Sequence, residues 1–319
     1  MDQNRNSERN ICAVAVVVTY NRKALLRVCI DALLGQTYSC DIVIVDNAST
    51  DGTKTYLQKN GFLKNARIHY LLLDENVGGS GGFHYGVKYC MSFAWDWFWL
   101  MDDDAKPNKK ALEVLLRNAS NSNHIYGSVA TAFENGRRKL CFPARVRQRN
   151  KGKFIEFHEL LEDLEEVAWV PFLGFFIHRH MVQMVGLPAL DFFILDDDVE
   201  YSERARRKGA KILLVKESII DHPLQKTTVI RFMGKRVYYR SMPPWKIYYD
   251  VRNKVTIAKR YYGTLLWTQT IPGILLRAFY SIFHEKKRIY SLYVYTLAVL
   301  HGLFNKSGRS LLPPFSKEP

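Results

Sequence analysis

Four apolar stretches in the first third of the chain set its architecture. Ile11–Val18 is continuous and rich in β-branched residues, Asp41–Val45 and Ile68–Leu73 are shorter runs of the same kind, and Trp97–Met101 is the fourth. Short apolar runs without polar alternation fit strands buried on both faces of a parallel sheet. Between them the period changes. Asn21 is placed to cap a helix in which Leu25, Leu26, Val28, Cys29, Ala32 and Leu33 recur at helical spacing. A second helix is expected near Thr53–Lys59, and a third after the glycine loop Asn76–Gly82, running to about Ala94. Strand and helix alternating in this way predict βαβ units and an open twisted sheet, an α/β fold. Such sheets bind ligands beyond the carboxyl ends of their strands, and here three of those ends carry carboxylates, amides or glycines: Asp46–Gly52, Asn76–Gly82 and Asp102–Asp104.

Two acidic clusters follow apolar runs. Asp102-Asp103-Asp104 comes after Phe98–Met101. In an extended segment residues i and i+2 face the same way, so Asp102 and Asp104 project together and Asp103 points elsewhere. Paired oxygen donors suit Mg²⁺ or Mn²⁺, which complete their shells with substrate phosphates and water; the plain alternative is a solvated acidic turn. The second cluster, Asp196-Asp197-Asp198-Val199-Glu200, packs four carboxylates into five residues ahead of a basic helix. Capping a helix needs one or two acids. Crowded like charges raise one another's pKa, which suits a general base. His222 closes the apolar stretch Ile212–Ile220 and is a candidate third metal ligand, against the commoner structural role of a lone histidine. The glycine loop opens a helix whose amides are available to an anion. It is not a dinucleotide fingerprint, because His84 stands where the last glycine belongs and the loop follows the third strand.

Composition changes the picture at the far end. From Tyr201 onward there are 23 Lys and Arg against 6 Asp and Glu, which leaves the first 200 residues nearly neutral in a chain of net charge +15. A neutral catalytic half is thus joined to a basic tail that wants an anionic partner: nucleic acid, phospholipid head groups or a pyrophosphate-bearing substrate. Five scattered cysteines without a CxxC pair argue against a disulfide framework or a zinc site. The polar stretch Met1–Asn10 and the short apolar run after it do not form a signal peptide, so a cytoplasmic setting is expected. In the tail, Arg231–Tyr249 interleaves basic and aromatic residues around Pro243-Pro244-Trp245, and Thr264–Phe283 and Ile289–Phe304 are strongly apolar, with His284-Glu285-Lys286-Lys287-Arg288 between them. Neither is a convincing membrane span. Helices lying in an anionic membrane interface fit better, and a helical subdomain packed on the sheet is the alternative.

Taken in order, these motifs resemble glycosyltransferase family 2, whose fold is GT-A, a Rossmann-like mixed sheet with flanking helices. The resemblance runs from Ile11 to about His222, and more loosely to Asn253. Thr19-Tyr20-Asn21-Arg22 is similar to the family's opening nucleotide-binding loop, and Asp46–Gly52 to the segment whose aspartate faces the base. Asp102-Asp103-Asp104 resembles its DxD metal motif, and Asp197–Tyr201 with Arg204 resembles its ED-type motif, which makes Asp198 the catalytic base. The resemblance implies an inverting transferase in which Asp102, Asp104 and His222 hold Mn²⁺ or Mg²⁺. Thr19, Tyr20, Asn21, Arg22, Asp46, Asn47, Asn76, Gly79, Ser80, Gly81, Asp102 and Asp103 would line the nucleotide-sugar donor, and Trp169 and Asp197 would face the acceptor. The loop from Asn76 to Phe83 is most similar to bacterial galactofuranosyltransferases, implying UDP-galactofuranose; a rhamnosyltransferase using dTDP-rhamnose is the alternative within the family. The expected acceptor is a polyprenyl-diphosphate-linked glycan of cell-surface polysaccharide synthesis, met at the inner face of the cell membrane by a peripherally attached enzyme. The expected division is a catalytic domain over 1–224 and a membrane-associating helical region over 225–319. A nucleic-acid-binding protein, the rival suggested by charge and aromatics, leaves both acidic clusters unexplained and shows no recognisable nucleic-acid module.

Overall fold

A computed structural model describes residues 12–147, 154–224, 228–232, 235–284 and 288–310. Met1–Asn10, Ile11 and the run Glu285–Lys287 lie outside them. The four predicted strands are present as β1 (Ala13–Thr19), β2 (Asp41–Asp46), β3 (Ile68–Leu72) and β4 (Trp97–Asp102). They pair in parallel in the order β3-β2-β1-β4. The alternation of β1 shows why it reads as a continuous apolar run. Val14, Val16 and Val18 enter one core cluster with Phe83 and Val87, while Ala13, Ala15 and Val17 enter another with Leu26, Ile30 and Leu33. Both faces are covered, so neither can be polar.

The connecting helices are α1 (Lys23–Leu34), α2 (Thr53–Lys59) and α3 (Gly78–Cys90). Two expectations are corrected here. Asn21 does not cap α1: it lies in the left-handed region with φ 55°, and its side chain turns to the loop after β2. The glycines from Gly78 on are not a loop before α3 but its first turns. They are small because the helix lies tight on the sheet. A Cβ on Gly82 would stand 2.5 Å from Val18 Cγ1, and one on Gly86 would stand 2.5 Å from Val16 Cγ1.

Beyond β4 the sheet becomes mixed. The short β5 (Lys106–Pro107), then α4 (Ala111–Asn118), lead into β6 (Ile125–Glu134) and the antiparallel β7 (Arg137–Arg145), β8 (Phe154–Phe157) and β9 (Leu164–Glu166). β10 (Phe175–His178) runs antiparallel between β4 and β6. It is followed by α5 (Arg179–Val185), α6 (Asp197–Arg207) and β11 (Ile212–Asp221), which pairs parallel with β6 and antiparallel with β5 and β9. The result is a GT-A sheet with helices on both faces.

The tail starts with a hairpin that the sequence pattern did not suggest, β12 (Thr228–Phe232) and β13 (Lys235–Tyr239). Then come α7 (Pro244–Tyr261), α8 (Ile271–His284) and α9 (Arg288–Leu303). Among the described residues no helix is long and apolar enough to cross a membrane. The three helices share a core of Tyr248, Val251, Val255, Ile274 and Val294, and Phe193 from the catalytic half is part of it.

The glycine contacts give a prediction about α3. Gly82→Ala, which meets Val18, is expected to cost about 1–3 kcal/mol by overpacking. Gly79→Ala meets nothing within 4 Å and should be neutral or stabilising by up to about 1 kcal/mol. Urea denaturation of both variants checks this; equal effects would contradict the packing role assigned to the glycines.

Candidate active site

The strand register brings the predicted residues to one edge. Thr19 pairs with Asp46 across β1 and β2, and Val18 pairs with Asp102 across β1 and β4, so three functional ends stand side by side. His222 comes from much farther along the chain. Because β5 lies antiparallel to β11, with Lys106 opposite Asp221, the residues just beyond meet: Asp104 Oδ1 is 3.5 Å from His222 Nε2.

Within the acidic triplet the side chains do not divide as the alternation predicts: β4 ends at Asp102, and Asp103 and Asp104 turn together onto Arg22 while Asp102 stands apart. Asp103 is buried, accepts from Thr19 Oγ1 at 2.7 Å and pairs with Arg22 at 3.1 Å. Burial pushes its carboxyl upward despite those two partners. Arg22 also reaches Asp104 Oδ2 at 3.0 Å. Burial acts upward on Asp104 as well, but the His222 and Arg22 contacts outweigh it and hold the carboxyl below its ordinary value. Asp102 is exposed at the end of β4. Enclosure by protein, then Asp104 and Asp103, push it well above the ordinary carboxylate value.

The second cluster faces the first. The charge of Asp198 acts on Asp102, and that of Asp102 acts on Asp197. Asp196 precedes α6 with φ 61° but makes no capping bond there; its carboxylate pairs with Lys254 at 3.0 Å instead. Asp197 and Asp198 form the first turn of α6. Burial raises Asp197 to about 7, and burial with the neighbouring Asp197 and Asp196 raises Asp198 well above its usual range. Asp198 Oδ1 accepts from the Val199 amide at 2.7 Å. Asp102, Asp197 and Asp198 form no ion pair among the described residues.

Several residues expected to line the donor hold the scaffold in this structure. Asp46 is buried, accepting from the Ser49 amide at 2.8 Å and from the Tyr70 hydroxyl. Asn47, also buried, donates to Gly78 O at 2.8 Å and accepts from the Val77 amide at 3.2 Å, tying β2 to the start of α3. Asn76 Oδ1 accepts from the Gly78 amide at 2.8 Å, and the Ser80 amide donates to Phe193 O at 3.1 Å. Those amides have acceptors within the protein, so the glycine segment serves as a packing surface. Gly81 sits against Val77, whereas Gly79 faces open space. Asn21 clamps the loop after β2, accepting from the Thr50 amide at 2.7 Å and donating to Thr50 Oγ1 at 3.2 Å. Tyr20 and Arg22 remain exposed on the rim. Trp169 is half-buried and lies 6.2 Å from the Phe142 ring, which is itself 6.2 Å from His222.

The expected metal ligands can be tested on what the site leaves unsatisfied. Asp104 Oδ1 and His222 Nδ1 are buried polar atoms without a hydrogen-bond partner. An oxygen and an imidazole nitrogen with spare capacity beside an acidic cleft fit a divalent cation. Among the described residues no three His, Cys, Asp or Glu side chains close into a ligand set, so the structure brings together Asp104 and His222 but not Asp102 with them.

Sequence reading missed a second tier. The segment 188–196 is a strap between α3 and α7. On one side His84 Nδ1 lies 2.7 Å from Pro188 O and the Ser80 hydroxyl donates to Ala189 O. On the other, Arg252 holds Asp191 O and Phe192 O at 3.0 and 2.7 Å, and Asn253 Nδ2 holds Ile194 O and Leu195 O at 2.8 Å each. The available signal was four polar residues, Asp250, Arg252, Asn253 and Lys254, within little more than one turn of α7, between the apolar Ile247–Tyr249 and Val255.

The family profile described as glycosyl transferase family 2 matches residues 14–167, which take in the sheet from β1 to β9. The chain carries a family 2 glycosyltransferase domain. Its similar curated proteins include galactofuranosyltransferase GlfT1 of Mycolicibacterium smegmatis, 29% identical over 61% of this chain and 65% of that protein. Galactofuranosyltransferase GlfT1 of Mycobacterium tuberculosis is 28% identical over 66% of this chain and 69% of its own. The chain thus matches about two thirds of the length of these relatives. Among solved structures, S. aureus TarS superposes with a TM-score of 0.56 at 15% identity, covering 91% of this chain and 49% of TarS. Mannosyltransferase PcManGT from Pyrobaculum calidifontis, in complex with GDP-Man and Mn²⁺, gives 0.54 at 14% identity, covering 92% and 87%. These two likenesses are of fold, and they extend through the C-terminal helices as well as the family 2 domain.

The raised carboxylates carry a sign. Between 3.8 and about 7 the folded chain keeps a proton on Asp197 that the unfolded chain has lost. This contribution to stability is therefore fully present below the unfolded value and is lost as pH rises through about 7, with a slope of at most about 1.4 kcal/mol per pH unit for one group. Metal-free protein is expected to lose urea resistance from pH 5 to pH 7, and Asp197→Asn to flatten that fall. Parallel curves for the two proteins would contradict it.

Proposed function

We propose that the chain transfers galactofuranose from UDP-galactofuranose to a lipid-linked glycan, with inversion and with help from a divalent cation. The observation that carries this reading is the placement of Asp104 against His222 at the strand ends that also bear Thr19, Asp46 and Asp102, with Asp197 and Asp198 in the first turn of α6. The names of the relatives support the sugar. A mannosyltransferase of the same fold, solved with GDP-Man and Mn²⁺, supports a nucleotide-sugar donor and a metal.

In this reading Asp102, Asp104 and His222 hold Mn²⁺ or Mg²⁺, which would act as a Lewis acid on the donor diphosphate. The remaining work falls to the chain. Thr19, Tyr20 and Arg22 border the nucleotide, while Asp46, Asn47, Asn76 and Asp103 fix the loops beneath it. Asp198 takes the proton of the acceptor hydroxyl as that oxygen attacks the anomeric carbon from the face opposite the leaving group, a single displacement that inverts configuration. Trp169, beside Phe142, forms an aromatic wall for the acceptor sugar, and Asp197 lies beside the base to orient it.

The acceptor's lipid fits the tail. Leu275, Phe279 and Phe283 recur at four-residue spacing along α8 and are all exposed; Ile289, Tyr293 and Leu300 on α9 are exposed too, Ile289 at 86%. Apolar stripes of this kind in a strongly basic region suit an anionic membrane surface and support a peripheral attachment, for which the cytoplasmic face is our reading.

The test is a panel of nucleotide sugars, with and without Mn²⁺, using a polyprenyl-diphosphate-linked acceptor in anionic vesicles. Metal-dependent turnover of UDP-galactofuranose is expected, reduced about 10²–10⁴-fold in Asp198→Ala, together with salt-sensitive sedimentation of the protein with the vesicles. Turnover of dTDP-rhamnose alone would overturn the donor, and an active Asp198→Ala would overturn the base. Protein that ignores anionic vesicles would overturn the membrane surface.

A further inference from the structure

We infer that Asn253 is a positioning residue for Asp198, acting through the backbone of the strap that leads into α6; the inference rests on the reading of Asp198 as the base. The strap holds an unusual conformation. Phe193, Leu195 and Asp196 have φ of 65°, 65° and 61°, three left-handed residues within four, none of them glycine. L-residues avoid this region, and such backbone persists only where its surroundings over-determine it.

The constraint comes from both sides. Against α3, Phe193 O accepts the Ser80 amide and lies where a Gly78 side chain would otherwise stand, 2.0 Å from the position of its Cβ. This close approach requires glycine at position 78, whose own φ is 77°. Against α7, one carboxamide gathers the carbonyls. Asn253 Nδ2 lies 3.2, 2.8 and 2.8 Å from the oxygens of Phe192, Ile194 and Leu195. Its own oxygen accepts from Arg252 Nε at 3.0 Å, which fixes which end of the amide faces the strap. Asn253 is buried, 1% exposed.

Asn253 is singled out from its neighbours by where its bonds land. Arg252 holds the beginning of the strap, at Asp191 and Phe192, and also Gly308 O at 2.6 Å. Lys254 holds the Asp196 carboxylate and is shared with Asp250, which Arg277 of α8 grips at 2.6 Å. Only Asn253 among these three binds the carbonyls of Ile194 and Leu195, the last peptide groups before the acidic cluster. From Leu195 the chain passes through Asp196 directly into the helix that carries Asp197 and Asp198. A change in the strap's course therefore moves the base relative to the metal-side carboxylates; on the donor side the strap meets α3 at Gly78 and Ser80, while Thr19 and Asp46 have their partners elsewhere.

The test uses Asn253→Asp, nearly isosteric, which exchanges the donor for an acceptor facing three carbonyls. Hydrogen exchange of the full-length protein is read first, because it needs no activity. Exchange at residues 192–198 should speed up at least about tenfold while β1–β4 stay protected; unchanged protection of the strap would overturn the inference whatever reaction the protein catalyses. Next, calorimetry with UDP and Mn²⁺ should give an affinity within about threefold of wild type, while kcat for UDP-galactofuranose falls at least about thirtyfold with little change in donor KM. A protein that merely lost stability would show a lower melting temperature and an unaltered kcat per folded molecule. Should Asn253→Asp fail to fold, Asn253→Ala, which removes the amide donor without burying a charge, must give the same pattern at about five- to tenfold. Normal kcat in that folded variant would overturn the positioning role. Wild type without transfer from any nucleotide sugar would refute the function and, with it, the role of Asp198, while the exchange result would still report on how the strap is held.

Discussion

Gathering many carboxylates at one sheet edge is the constraint on which this molecule turns. Asp46, Asp102, Asp103, Asp104, Asp196, Asp197 and Asp198 all stand near the carboxyl ends of the strands or opposite them, and like charges in partly dry surroundings repel one another strongly. The fold answers by giving each structural carboxylate a partner from a different element. Tyr70 and the Ser49 amide serve Asp46, Thr19 and Arg22 serve Asp103, His222 and Arg22 serve Asp104, and Lys254 serves Asp196. Asp102, Asp197 and Asp198 are left without an ion pair among the described residues, and their protons are held most firmly. Proton affinity at the site thus follows from burial and from how each carboxylate is paired.

Much of this was legible in the residues. Strands β1 to β4 followed from apolar runs that only a two-sided burial permits, and the acidic clusters stood out because each follows such a run. The alternation expected of Asp102, Asp103 and Asp104 did not hold, because the strand ends at Asp102 and the next two carboxylates turn together onto Arg22. The contact of His222 with Asp104 was suggested only by position, since it depends on β5, two residues long, pairing with β11 more than a hundred residues later. What stayed hidden was tertiary. The left-handed strap has no clear sequence mark, because Phe193 and Leu195 are poor residues for that conformation. The glycine segment read as an anion loop because glycine reports only that something comes close, and here what comes close is Val18, Val16 and the strap.

The C-terminal helices were expected as an attachment region and are also a buttress. α7 grips α6 along its length: beyond the strap contacts, Arg260 pairs with Glu200 at 3.4 Å, and the hydroxyls of Tyr261 and Tyr262 donate to Glu200 and Glu203 at 2.5 and 3.4 Å. The same helix packs against α9 closely enough that Gly302 has no room for a side chain beside Val255. The helices with exposed apolar stripes and the helix carrying the expected base are therefore parts of one packed assembly, so contact with a lipid surface and access to the base share a framework. Basic charge in the tail supplies partners for Asp196, Asp250 and Glu200, the one to Asp250 from the buried Arg277.

The most direct test of this arrangement is a crystal structure with UDP and Mn²⁺, the ion located by anomalous scattering. The account predicts Mn²⁺ beside Asp104 and His222, bridging to the diphosphate, with Asp198 across an open gap on the acceptor side. Mn²⁺ seated away from that pair, or a diphosphate resting on the glycine start of α3 with Asp104 and His222 empty, would contradict it.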